Sequence, residues 1–228
     1  MNLERFIEEI EKLGIHVTEN QLNQLEKFYE LLISWNEKIN LTRITKKEDV
    51  YLKHFYDSLT LIKAIDLTQN LSLCDVGTGA GFPGIVLKIV FPNLKITLID
   101  SLQKRINYLN EVIKELNLQN IEAIHTRAED YARKNRETYD IVTARAVANL
   151  KAISELCIPM IKENGYFIAM KANATEEIET SKTMIIELGA KLENTIEFIL
   201  PIENSKRTLI KIKKIRKTNL KYPRKNIK

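Results

Sequence analysis

Four glycines within eight residues follow a short apolar run, and this stretch limits the possible folds of the chain more than any other. Residues 71–76 predict a buried strand, and residues 85–90 predict an apolar helix. Glycine allows positive φ and close backbone approach, so such a loop brings N–H groups and a helix N-terminus against a ligand. The stretch therefore predicts a ligand site between strand and helix. A loop that serves only as a tight turn is the alternative.

The positions of the glycines relative to Asp75 indicate which class of ligand the loop binds. Residues 79–84 match the G-x-G-x-x-G pattern of dinucleotide-binding proteins, which is weak evidence by itself. However, Gly77 directly follows Asp75-Val76, so the turn reads Asp-x-Gly-x-Gly-x-Gly. This resembles the first motif of the class I S-adenosylmethionine-dependent methyltransferases. A nicotinamide enzyme is the alternative.

Strands and helices alternate from residue 71 onward, which predicts an α/β fold with a mostly parallel sheet covered on both faces. Two extended segments then close the fold, and they predict an antiparallel last strand, as in class I methyltransferases. The further predicted strands are residues 95–100, 121–125, 139–144, 165–170, 195–200 and 208–212. The helices predicted between them are residues 104–116, 150–161 and 175–188.

The region before the glycine loop predicts helices only. Apolar residues at helical spacing predict helices at residues 2–13, from a capping box at Thr18 to about Asn36, and at 47–66. We therefore expect an N-terminal helical extension (1–66), a methyltransferase domain (67–215) and a basic C-terminal tail (216–228).

Acidic residues follow the second and third predicted strands, where a parallel sheet of this kind binds its ligand. Asp100 can accept hydrogen bonds from ribose hydroxyls, with helix capping as the alternative. Glu129 and Asp130 follow the third strand, where the adenine pocket of a methyltransferase usually lies. Arg145 follows the fourth strand and can orient a ligand, or instead pair with Glu129 or Asp130.

Charge is distributed unevenly along the 228 residues. Residues 211–228 hold nine Lys or Arg and no acid, which leaves residues 1–210 at −4 within the total of +5. Such a tail predicts a polyanionic partner such as RNA and a free basic arm from Arg216 onward; a solubilising end is the alternative. Two scattered cysteines and three scattered histidines predict no metal site. With no membrane-length apolar run and no signal-peptide pattern, we expect a cytoplasmic protein.

Several motifs in a fixed order make the resemblance specific to one family. The sequence is similar to the glucose-inhibited division protein B (RsmG) family of small-subunit ribosomal RNA methyltransferases. The matching segments run from Trp35 to Thr42, His54 to Ser58, Asp75 to Gly84, Asp100 to Arg105, Arg127 to Glu129, Ala144 to Ala146 and Tyr222 to Lys225.

This resemblance implies methyl transfer from S-adenosyl-L-methionine to N-7 of guanine 527, in the 530 loop of 16S rRNA or of the small ribosomal subunit. It implies cofactor contacts at Gly77, Phe82, Ala128, Glu129 and Arg145, in addition to Asp100. One departure is Ala172 after Lys171, where members often have glycine.

Chemistry at N-7 needs no general base, so no catalytic residue is assigned, and we expect His54 and Asp57 to serve local structure or substrate docking. Two other functions stay open. One is a methyltransferase of another RNA or a small molecule, and the other is an RNA-binding assembly protein with a vestigial cofactor site. The sequence leaves the oligomeric state open.

Overall fold

The computed structural model describes residues 1–145 and 148–224. It is a seven-stranded sheet with helices on both faces, in the strand order β3-β2-β1-β4-β5-β7-β6. The strands are β1 (Ser72–Val76), β2 (Lys95–Asp100), β3 (Ile121–His125), β4 (Tyr139–Arg145), β5 (Ile161–Lys171), β6 (Ala190–Ile199) and β7 (Lys206–Lys214). Only β7 runs antiparallel to its neighbours, β5 and β6. The predicted fold class, including the antiparallel last strand, is confirmed.

Nine α-helical segments lie among the described residues. They are α1 (Leu3–Glu11), α2 (Glu19–Ile39), α3 (Lys47–Val50), α4 (Asp57–Leu59), α5 (Gly84–Val90), α6 (Gln103–Glu115), α7 (Ala128–Lys134), α8 (Leu150–Cys157) and α9 (Thr175–Glu187). A π-helical stretch, Tyr51–Tyr56, joins α3 to α4, and a 3₁₀ turn, Thr60–Lys63, follows α4. None of the helices in this described part is long and apolar enough to cross a membrane.

Several predicted boundaries were wrong. The helix predicted over residues 150–161 ends at Cys157, because Pro159 lies in a 3₁₀ turn and Ile161 already begins β5. Strand β6 begins at Ala190, directly after Gly189, and not at Thr195. Helix α7 was not predicted at all, since its seven residues are too few for a clear apolar period.

The N-terminal helices pack against α5, α6 and the glycine loop, which lie on one side of the sheet. The ring of Phe28 in α2 lies 5.4 Å from the ring of Phe82 in the glycine loop, and Phe55 stacks on Phe28 at 5.6 Å. The capping box predicted at Thr18 and Gln21 is present, and the Gln21 amide also donates to the Ile89 carbonyl of α5. This packing holds the α2–α4 region against the glycine loop.

The prediction of a free basic arm from Arg216 onward is wrong as far as Arg224, where the description ends; residues 225–228 lie outside it. Thr218 and Tyr222 are buried. Arg136, just before β4, donates to the carbonyl oxygens of Thr218 and Tyr222. Arg224 forms a salt bridge with the buried Glu155 of α8 at 2.7 Å. Sequence could not reveal these contacts, because each joins residues far apart in the chain.

The docked tail lies at the edge of the sheet opposite the carboxyl ends of the parallel strands. Lys214, where β7 ends, pairs with Ala190 and donates to the Ile158 carbonyl, just before β5 begins. The seven residues of β4 span roughly 20 Å, so the tail contacts near Arg136 lie about that far from Arg145.

Candidate functional site

A cavity of about 490 Å³ opens at the carboxyl ends of the parallel strands. This edge is where doubly wound sheets bind ligands. All six residues predicted as cofactor contacts line the cavity: Gly77, Phe82, Asp100, Ala128, Glu129 and Arg145. Asp130 does not line it. The structure thus brings the predicted residues together in one cavity.

The glycine loop forms the floor of the cavity. Gly77, Gly79 and Gly81 all have positive φ, at 69°, 59° and 93°. A Cβ on Gly79 would meet only the Gly77 carbonyl oxygen, at 3.9 Å, so the protein leaves the space beside it open. The N–H of Gly77 donates to the Ile99 carbonyl of β2, which ties the loop to the sheet.

Asp75 lies fully buried under this loop. Its Oδ2 accepts hydrogen bonds from the Thr78 hydroxyl at 2.7 Å and the Gly84 N–H at 2.9 Å. Its Oδ1 has no hydrogen-bond partner among the described residues. Burial raises the pKa of Asp75 to about 6, although both hydrogen bonds act in the opposite direction. A buried acceptor without a donor is costly, and Asp75 does not line the cavity, so its role among the described residues is to hold the loop through Thr78 and Gly84.

Asp100 closes β2 at the cavity wall. Its Oδ1 accepts from the Leu102 N–H at 2.9 Å, and its Oδ2 accepts from the Gly79 N–H at 3.0 Å. Arg105 pairs with the same Oδ2 at 3.1 Å. The carboxylate therefore joins β2, the glycine loop and α6, and it combines local structure with a position facing the ligand space.

The acid pair after β3 separates into two roles. Glu129, in the first turn of α7, lines the cavity and accepts a hydrogen bond from Arg127 Nε at 2.6 Å. Burial is the largest single influence and opposes ionisation of Glu129. The hydrogen bonds from Arg127 and from its own backbone N–H, with the charges of Arg127 and Arg133, together outweigh it, so the pKa of Glu129 is lowered. Asp130 is exposed and pairs with Arg133. Of this pair, Glu129 lines the cavity and Asp130 does not.

Arg145 lies at the end of β4, and its partner is not one of the predicted acids. The alternative of a salt bridge to Glu129 or Asp130 is wrong. Its Nη1 donates to Asp57 Oδ2 at 3.2 Å and to the Lys53 carbonyl at 3.1 Å. Its guanidinium lies 5.1 Å from the Phe82 ring centroid. Ala146, the last residue of the matching motif there, lies outside the described residues.

His54 and Asp57 hold Arg145 in place from the α3–α4 region. Arg145 Nη2 donates to His54 Nδ1 at 3.1 Å, and the His54 ring stacks on Phe82 at 4.4 Å. Asp57 Oδ1 also accepts from Arg207 Nε at 3.0 Å. Burial, followed by the charge of Arg145, lowers the pKa of His54 to about 3, so the ring is neutral.

Sequence reasoning missed part of this site. Leu41 and Thr42 line the cavity, and a second cavity of about 300 Å³ adjoins it. The second cavity shares His54 and Arg145 with the first and adds the cations Lys171 and Arg207. The motif ending at Thr42 was the available signal, but its sequence does not show that the loop reaches the cavity.

The residues present fit S-adenosylmethionine. Open space beside Gly79 admits a ligand against the backbone, and the carboxylates of Asp100 and Glu129 can accept from hydroxyl and amino groups. Arg145 supplies a cation in the same cavity. A ligand with ribose, adenine and an amino-acid end satisfies each of these groups.

Comparisons with known proteins agree with this geometry. The family model described as rRNA small subunit methyltransferase G matches residues 21–210. The chain is 54% identical to Ribosomal RNA small subunit methyltransferase G of Bacillus cytotoxicus, over 99% of this chain and 95% of the relative. Its identity to the protein of the same name from Bacillus licheniformis is 52%, with the same coverage.

A solved structure supports the fold alone. M. jannaschii TYW2, determined in complex with AdoMet, superposes with a TM-score of 0.52 at 19% identity. The match covers 64% of this chain and 70% of that chain.

Proposed function

Because the chain belongs to the rRNA small subunit methyltransferase G family, we propose that it methylates N-7 of guanine 527 in the 530 loop of 16S rRNA. S-adenosylmethionine is the cofactor, as the family and the AdoMet-bound structural neighbour support. The observation that carries the proposal is the cavity itself, where the glycine loop, two carboxylates and a buried arginine meet at one sheet edge.

We propose that Asp100 and Glu129 hold the adenosine part of the cofactor, with the backbone at Ala128 beside the adenine. Gly77 admits the ligand against the loop, and Arg145 with Phe82 bounds its amino-acid end. The support is the lining of the cavity: Asp100 and Glu129, each paired with an arginine, lie in the same cavity as Arg145. The cofactor supplies an electrophilic methyl on its sulfonium.

The protein's contribution to the reaction is positioning and exclusion of water. N-7 of guanine has an in-plane lone pair and no proton to lose, so no side chain need act as a base. Consistent with this, Asp57, Asp100 and Glu129 all accept hydrogen bonds from arginines and none is a free base. Holding the nucleophile in line with the methyl lowers the barrier through orientation.

We propose that the guanine enters through the second cavity, which shares His54 and Arg145 with the first. Met170, Phe198 and Leu209 give it an apolar wall for the base. Lys171 and Arg207 line the same space and can meet phosphate or a base oxygen. Ala172 lines it in place of the family's usual glycine, so its Cβ occupies part of the entrance.

Mapping modified nucleosides in 16S rRNA from cells that lack this gene tests the proposal. We expect 7-methylguanosine to be absent at position 527 and to return when the gene is restored. Loss of a different modification would indicate another rRNA target atom. An unchanged rRNA would favour another substrate, or an assembly protein that no longer transfers methyl groups.

A further inference from the structure

The loop that carries Thr42 is held rigidly against the cofactor cavity. The helix before it, α2, ends at Asn40, which adopts a left-handed conformation with φ 48°. The side-chain oxygen of Asn36 then accepts two backbone N–H groups, from Leu41 at 2.7 Å and Thr42 at 2.8 Å. These bonds explain the Trp35–Thr42 motif structurally and leave the Thr42 side chain lining the cavity.

Successive hydrogen bonds from Arg145 through His54 determine which groups donate to the Thr42 hydroxyl oxygen. Arg145 carries hydrogens on every side-chain nitrogen, so its bond to His54 Nδ1 makes that nitrogen an acceptor. His54 is neutral, and its one ring hydrogen therefore lies on Nε2. That hydrogen is donated to Thr42 Oγ1, 2.9 Å away.

The N–H of Ile44 donates to the same Thr42 oxygen at 3.0 Å. A hydroxyl oxygen has two lone pairs and one hydrogen, so His54 and Ile44 together occupy both lone pairs. Within residues 1–145 and 148–224, the structure gives the Thr42 hydroxyl hydrogen no acceptor. The hydroxyl is thus an oriented donor beside the cofactor cavity, and it lacks its partner.

We propose that Thr42 donates its hydroxyl hydrogen to the carboxylate of the S-adenosylmethionine amino-acid end, which makes Thr42 a cofactor-positioning residue. This inference rests on the proposed function. Thr42 lines the first cavity and not the second, so its partner belongs to the cofactor and not to the base.

Charge around Arg145 supports a carboxylate as that partner. Asp57 pairs with both Arg145 and Arg207. These three side chains, with one negative and two positive charges, together carry one net positive charge. Nε and the second Nη2 hydrogen of Arg145 have no acceptor among the described residues. This cation lines the same cavity as Thr42 and attracts an anionic group there.

Titration calorimetry with two probes tests this assignment on the full-length chain. One probe is S-adenosylmethionine, and the other is its decarboxylated form, which keeps the adenosine, sulfonium and amine. Thr42→Val removes the hydroxyl at nearly constant volume, and Thr42→Ser is the matched control that keeps it. We expect Thr42→Val to weaken binding of S-adenosylmethionine by about 10- to 100-fold, the range for a hydrogen bond to a charged group.

The same variant should bind the decarboxylated probe as the wild type does, within about twofold, and Thr42→Ser should restore affinity for S-adenosylmethionine. An equal loss for both probes would assign Thr42 a structural role and overturn the inference. So would an unchanged cofactor affinity with a raised KM for rRNA, because the acceptor would then lie on the RNA. If the wild-type chain binds neither probe, the proposed function itself fails.

Discussion

Removing the docked C-terminal segment should destabilise the protein, and the structure sets the magnitude. A chain that ends at Lys214 loses Arg224, the partner of the buried Glu155, which accepts hydrogen bonds from the N–H, Nε and Nη2 of Arg224. It also loses Tyr222, which is 5% exposed, and Thr218, which accepts from the buried Lys214. Both a carboxylate and an ammonium group are then buried with fewer partners.

Removal of one partner from a buried ion pair costs about 3–5 kcal/mol, and the lower value applies because Arg224 is half exposed. Loss of about 3 kcal/mol lowers the melting temperature of a chain this long by roughly 6–12 °C. Thermal unfolding followed by circular dichroism measures this shift. A chain that ends at Arg224 is the matched control, and it should melt as the full chain does.

Glu155→Gln gives a second check, since it removes the charge that truncation leaves unpaired. In the full chain it should destabilise, because Arg224 loses its partner. In the chain ending at Lys214 it should be neutral or stabilising. The reasoning is refuted if that truncated chain melts within about 2 °C of the full chain, less than the shift from 1 kcal/mol.

Three further predictions concern the cofactor site. Gly77→Val should abolish S-adenosylmethionine binding in calorimetry, because valine cannot easily adopt φ 69° and its side chain would occupy ligand space. Gly14→Val is the matched control for backbone strain, since Gly14 has φ 77° and open space around it, and this variant should keep binding. NAD binding by the wild type would contradict the account. The raised pKa of Asp75 means that the native state holds its proton more tightly than the unfolded chain, so the stabilisation is fully present below the ordinary pKa of 3.8 and is lost as the pH rises from there through about 6. Relative to Asp75→Asn, the wild type should therefore gain about 2–3 kcal/mol of unfolding free energy from pH 7 to pH 4 in urea titrations, and parallel profiles would contradict the burial argument. In Asp130→Asn, the rate of single-turnover methylation at saturating cofactor and rRNA should fall far less than the 10²–10⁴-fold that is typical when a general base is lost. A larger fall in rate would indicate a target atom that carries a proton.

The sequence predicted those parts of the fold that depend on local pattern. Strands β2 and β3 have the predicted bounds, because each is an apolar run between polar or turn residues. The residues lining the cavity were predicted because strand ends and the glycine loop meet at one edge in any sheet of this type.

Contacts between distant residues could not be predicted in this way. The alternative considered for Arg145 was a salt bridge to Glu129 or Asp130, yet its partner Asp57 is 88 residues away. The same limit applies to the tail, where cations that look free in the sequence are engaged: Lys214 is buried and Arg224 is paired. The count of Lys and Arg residues in the tail therefore overestimated how many of its cations are available to bind RNA.

Because cations of the tail form contacts within the protein, we expect the RNA-binding surface at the other edge of the sheet. Lys211 pairs with Glu193, and Lys225 and Lys228 lie outside the described residues. Around the cavities, Arg43 is exposed. Lys171 and Arg207 line the second cavity, where Lys171 also pairs with Glu177 and Arg207 with Asp57. We therefore expect charge reversal at Arg43 to weaken rRNA binding in a salt-dependent way more than reversal at Lys221 on the tail, as measured by filter binding at several salt concentrations.

The central claim is methyl transfer to N-7 of one guanine, and the most direct measurement is transfer by the purified chain itself. 16S rRNA or small subunits from cells lacking the gene are incubated with isotopically labelled S-adenosylmethionine, and the labelled nucleoside is identified and positioned by mass spectrometry. The account predicts one labelled 7-methylguanosine, at position 527, and no label when that guanine is replaced. Label on another atom or another nucleotide, or no transfer to either substrate, would contradict it.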